Sequence, residues 1–75
     1  MIKFSRHAKR RMSLYNLTEA NILKIINEGE KEIISENKIS YIASLDKYNY
    51  PVKAVCKVIG SDKIVITNYP LKKRL

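Results

Sequence analysis

The sequence predicts an α+β domain in which two N-terminal helices pack on one face of a three- to four-stranded antiparallel sheet. Three observations carry that prediction. Apolar residues recur at helical spacing as far as Gly29. From Glu32 onward, short β-branched runs alternate with clusters of Gly, Pro, Asn and Asp. The whole chain is 75 residues, enough for one domain spanning 1–75, with a core that hides only ~60% of the unfolded surface.

The elements follow in order. Ser5 can cap a helix from Arg6 to Leu14, whose apolar stripe is Ala8, Met12 and Tyr15 with Phe4 just ahead. Asn16 and Leu17 break it. Thr18 caps a second helix, Glu19 sits favourably in its first turn, and Ile22, Leu23, Ile25 and Ile26 give it a broad buried face. Gly29 is expected to close it at positive φ. Four runs then read as strands: 32–35, 39–45, 52–59 and 63–69. The segment 36–38 makes a turn, DKYNYP is a loop, GSD at 60–62 is a tight connection, and Pro70 stops the last strand. If the helices cover the more apolar sheet face, Lys53, Lys57, Thr67 and Tyr69 are left on the open one.

Charge is the strongest compositional feature. Fifteen Lys/Arg against seven Asp/Glu leave +8 at neutral pH, which points to a polyanion or an acidic protein as partner. The excess is at the ends: Lys3, Arg6, Lys9, Arg10 and Arg11 precede any acid, and Lys72, Lys73 and Arg74 close the chain. The acids gather between Glu19 and Glu36. No apolar run approaches the ~20 residues of a membrane span. A single cysteine and no signal-like N-terminus predict a reduced, cytoplasmic protein. Cys56 sits inside a β-branched strand and reads as a small buried apolar residue. One His and one Cys far apart offer no metal-ligand spacing, so no metal or cofactor is expected.

The residues 4–15, FSRHAKRRMSLY, raise the functional question. His7 and Arg11 are one helical turn apart, and Arg10, three residues from His7, also adjoins it. Cleaving RNA without a metal needs a proton acceptor, a proton donor and a cation for the charge that builds on phosphorus. His7 suits the proton-transfer role, Arg11 or Arg10 the phosphate clamp, and Tyr69 or Tyr41 a hydrogen bond or base stacking. A solvated histidine on a basic helix is the plainer reading of the same pattern. A glycine-rich phosphate loop is missing, and the acidic start of the second helix argues against a DNA-reading helix-turn-helix.

The segments FSRHAKRRM, LTEANILKIINEG and IVITNYP together resemble a family of small prokaryotic domains of unknown function. That family carries a His-Ala-x-x-Arg-Met signature, matched by His7, Ala8, Arg11 and Met12. Leu17, Thr18, Ile22 and Gly29 match its second helix, and Ile66 (or Val65), Thr67 and Tyr69 its last strand. Where relatives tend to carry an arginine and a glycine, this chain has Tyr15 and Asn16, and Asn can adopt the left-handed conformation in glycine's place. The family looks like a branch of the RelE/ParE/BrnT toxin superfamily. The resemblance implies a RelE-like toxin domain, a metal-independent endoribonuclease encoded beside an acidic antitoxin protein, with messenger RNA on the ribosome among its substrates. His7, Arg11 and Tyr69 are then the expected catalytic group. Arg6, Lys9, Arg10, Lys53, Lys57, Thr67, Lys72, Lys73 and Arg74 are the expected nucleic-acid contacts. Two alternatives stand beside it: a non-catalytic RNA- or DNA-binding module, and a domain that binds an acidic protein. A monomer or a weak dimer fits all three.

Overall fold

The computed structural model describes residues 1–46, 48 and 50–71. Its order is β1 (Ile2–Phe4), α1 (Arg6–Leu14), α2 (Glu19–Glu28), β2 (Glu30–Ser35), β3 (Lys38–Ala43), β4 (Val52–Ile59) and β5 (Asp62–Pro70). The five strands make one mixed sheet in the order β1-β5-β4-β3-β2. The expected three- to four-stranded antiparallel sheet is therefore corrected to five strands with one parallel pair. The added strand is β1, which pairs parallel to β5 with Ile2 beside Lys63 and Phe4 beside Val65. Its three residues alternate apolar, charged, apolar, but fall short of the 4–8 residues by which a strand is recognised in sequence.

Each helix is held by local chemistry. The Ser5 side chain accepts from the Ala8 N–H at 3.0 Å and caps α1. At the other end Asn16 takes φ 54. The Leu17 N–H then reaches the Met12 carbonyl at 2.7 Å and the Asn16 N–H that of Ser13 at 3.3 Å. This is a Schellman closure, with Asn in the left-handed position and Leu17 and Met12 both buried. Thr18 and Asn21 form a reciprocal capping box at the start of α2. Gly29 departs from expectation: its φ is −78, an ordinary value. It is glycine because a Cβ there would collide with the backbone carbonyls of Ile25 and Ile42. The positive φ belongs to Gly60, at 59, in the β4–β5 connection.

Both helices pack on one sheet face, α1 over β5 and α2 over β3 and β4. Ala8, Met12, Leu17, Ile22, Ile25 and Ile26 meet Tyr41, Leu45, Val52, Ala54, Cys56 and Val65 there. Leu23, expected inside, is exposed. The alternation along β4 puts Val52, Ala54 and Cys56 under the helices and Lys53, Val55 and Lys57 on the other face. Between β4 and β5 the register slips: Val55 opposes Thr67 and Cys56 opposes Val65, leaving Ile66 as a bulge. Beyond that bulge Asn68 faces the helices, and Thr67 and Tyr69 face away. Pro70 is tolerated in β5 because Leu71 N–H donates to Pro51. By alternation the Pro70 nitrogen points to the side that the short β1 leaves unpaired.

Candidate nucleic-acid interface

α1 is fastened to β5 at three points near the bulge. The Ser5 N–H donates to the Val65 carbonyl at 2.9 Å. The Ser5 hydroxyl donates to the Ile66 carbonyl at 3.2 Å. The Asn68 side-chain amide donates to the Ala8 carbonyl, also at 3.2 Å. Asn68 is fully buried, and its Oδ1 has no partner among the described residues. Sequence reasoning missed it. The signal was present, since Asn is a poor strand former and here interrupts a β-branched run.

With Ala8 and Met12 fixed inward, a turn of about 100° per residue sets the rest of α1. Arg6, Lys9 and Arg10 share the outward face, and all three are exposed. His7 is also exposed, on the shoulder between that face and Arg11. Among the described residues it makes no hydrogen bond or ion pair. Arg11 is half-buried, and its Nη1 donates to the Tyr15 hydroxyl at 3.2 Å. Its guanidinium is thus engaged one turn toward the C-terminus, whereas His7 lies one turn toward the N-terminus.

The charges of the first turn work against this helix, whereas Arg11 in its last turn suits the macrodipole. Its first turn carries no acid, and Arg6 occupies the first helical position. A cation near a helix N-terminus opposes the macrodipole, at ~0.3–1 kcal/mol. Arg6 and Arg10 also repel at i,i+4, by a few tenths of a kcal/mol. Among the described residues no acid pairs with the α1 cations. The ion pair that does form joins the Met1 ammonium to Asp62 at 3.4 Å. The Ser5 cap, worth ~1 kcal/mol, and the burial of Ala8 and Met12 offset these costs.

The other expected site residues divide by face. Tyr69 opposes Lys53 and Thr67 opposes Val55, both on the open side of the sheet. His7 and Arg11 belong to a helix on the covered side. His7, Arg10 and Arg11 occupy neighbouring positions on α1, with the Arg11 guanidinium turned to Tyr15 and not to His7. Tyr69 and Thr67 are not brought to them, because the bulge at Ile66 shifts strand parity by one. Tyr41 is buried beneath the Lys63 ammonium, 5.4 Å from its ring centre. Lys72, Lys73 and Arg74 lie outside the described residues. Cys56 is fully buried, and burial pushes its thiol up to about 11, against a smaller opposing effect of Lys63. It is an inert core residue. Among the described residues no helix is long and apolar enough to cross a membrane.

A family model for a domain of unknown function, DUF4258, matches residues 4–70. No curated protein and no solved structure matches the chain.

Proposed function

The chain belongs to the DUF4258 family of domains of unknown function, and from that premise we propose that it binds RNA through phosphates, with Arg6, Lys9 and Arg10 of α1 as the main contacts. One observation carries the reading: three exposed cations, without an acidic partner among the described residues, share a face of a helix whose first turn they destabilise. A polyanion supplies the counter-charge that the chain withholds. RNA is preferred over DNA on the expectation, drawn from the resemblance, that this family is a branch of the RelE/ParE/BrnT toxin superfamily. The test is ¹H–¹⁵N NMR of the full chain titrated with a 12-nucleotide single-stranded RNA. Amide shifts are expected to concentrate between Arg6 and Ser13. Shifts confined to the open sheet face, or none, contradict the proposal.

A toxin-like, metal-independent endoribonuclease is the second reading, favoured by the exposed and unpartnered His7 one turn from Arg11. In it His7 acts as general acid or base and Arg11 steadies the phosphorane-like transition state. Tyr69, on the other face, takes no part, and an acidic antitoxin protein is the expected inhibitor. Replacing His7 with Ala separates the two readings. A nuclease loses RNA cleavage and growth inhibition while keeping its affinity; a binding module has no cleavage to lose.

A further inference from the structure

The face of the sheet turned away from α1 and α2 is covered by no helix among the described residues, and its side chains are not arranged at random. Strand register places Ile42 on β3 beside Lys53 on β4. It also places Val55 beside Thr67, and Lys57 beside Ile64. Ile42, Val55 and Ile64, all half-buried, therefore run diagonally across three strands. With strands ~4.8 Å apart and ~6.7 Å between same-face residues, the stripe is roughly 16 Å long. Lysines flank it on both sides. Lys53 lies on one side, and Lys57 with its cross-strand neighbour Lys38 on the other. Lys3 stands beyond Ile64 on β1. Glu30, Glu32 and Asp62 are the acids of this face among the described residues. The two glutamates sit at the far β2 edge, opposite Ile42 and Ser40, and Asp62, two residues before Ile64 on β5, is paired with the Met1 ammonium.

Lys38 and Lys57 are directly paired across strands, an arrangement of like charges that weakens a sheet. Nothing in the fold requires it. The ground between the cations also differs from that on α1. It is mainly aliphatic, with Thr67 and the buried Ser40 on either side of Val55, and among the described residues it has no aromatic ring but Tyr69 on which a base could stack. An aliphatic stripe bordered by ammonium groups complements a helix with an apolar seam and carboxylates along both margins. At 1.5 Å per residue, 16 Å corresponds to roughly three helical turns.

We propose that the open sheet face is a docking surface for an acidic amphipathic helix of a protein partner, its apolar seam on Ile42, Val55 and Ile64 and its carboxylates on Lys38, Lys53 and Lys57. This surface is separate from the α1 face assigned to RNA, and either assignment can fail without the other.

The test uses the full chain and three probes: a 14-residue Leu/Glu amphipathic peptide, its Leu/Lys counterpart, and a 12-nucleotide RNA, each followed by ¹H–¹⁵N NMR. The Leu/Glu peptide is expected to shift the amides of Ile42, Lys53, Val55, Lys57 and Ile64. The Lys53→Glu/Lys57→Glu variant should weaken it at least tenfold, and Val55→Thr, which keeps the shape and strand preference of the residue, several-fold. Equal binding of both peptides, no shift on this face with the Leu/Glu peptide, or RNA saturating the same amides would each overturn the proposal.

Discussion

The outward face of α1 and the open face of the sheet are both basic, yet their surroundings differ. On α1, Arg6, Lys9 and Arg10 stand with a single exposed apolar neighbour, Leu14 one turn beyond Arg10, because Ala8 and Met12 are turned into the core. On the sheet, Lys38, Lys53 and Lys57 border a half-buried aliphatic stripe. Charge alone does not name a partner; the ground between the charges does. A cation cluster with one apolar side chain at its end suits phosphates, which offer charge and no apolar surface. Cations around aliphatic side chains suit a ligand that brings both carboxylates and hydrocarbon.

The largest expected effect comes from removing or reversing charge in each region separately. Replacing Arg6, Lys9 and Arg10 with Ser should lower affinity for single-stranded RNA roughly a hundredfold at 0.1 M salt, at ~0.7 in logarithmic salt slope for each phosphate no longer neutralised. The Lys53→Glu/Lys57→Glu variant should lower it less than threefold, as read by fluorescence anisotropy. A reversed ranking would transfer the RNA site to the sheet.

Cys56, beneath the helices, reports whether those substitutions leave the helix layer closed. Its thiol is held at about 11 rather than 9.0, so at pH 8 native protein should label with a thiol reagent about a hundredfold more slowly than unfolded chain. The sign of the pH dependence follows. From pH 9 the unfolded thiol loses its proton while the folded one keeps it up to about 11. The unfolded state then binds fewer protons, so stability falls across that window. A Cys56→Ala chain should lack this decline. Fast labelling of either charge variant at pH 8 would mean that its binding defect is a folding defect.

Smaller effects concern the joint between α1 and β5. Asn68→Ala removes the hydrogen bond to Ala8 and leaves a small cavity, costing about 1–2 kcal/mol in urea unfolding. Ser5→Ala removes the cap and the link to the Ile66 carbonyl, costing about 1 kcal/mol. Both should weaken RNA binding, by displacing α1, more than binding of the Leu/Glu peptide to the sheet. An equal loss on both surfaces would show that the two regions are not mechanically separate.

Sequence patterns reached most of this fold through short-range signals. Ser5 and Thr18 announced their helices because capping is a matter of neighbouring residues. The left-handed turn at Asn16 was expected from the resemblance, because relatives tend to carry a glycine there. What stayed hidden was set by partners far along the chain. β1 is a strand only because β5 pairs with it across about sixty residues. The bulge at Ile66 is invisible in an alternating run, yet it decides that Asn68 anchors α1 while Thr67 and Tyr69 turn away. Gly29 was legible as a necessary glycine but for the wrong reason, since the crowding comes partly from Ile42 on the next strand. The cluster of His7, Arg10 and Arg11 could be read from i,i+3 and i,i+4 spacing. The separation of Tyr69 from it was implicit in the open-face placement expected for Thr67 and Tyr69, which the register bears out and which a shared catalytic role with His7 contradicts.

The salt dependence of RNA binding tests the central claim most directly. At salt concentrations from about 50 to about 300 mM, the unmodified chain should show a steep negative slope of log affinity against log salt. The Arg6→Ser/Lys9→Ser/Arg10→Ser chain should show a slope shallower by about two units, one increment of ~0.7 for each of the phosphates that the three cations neutralise. A slope that stays the same in this variant would mean that α1 does not touch the phosphates, and its outward face would not be the RNA-binding surface.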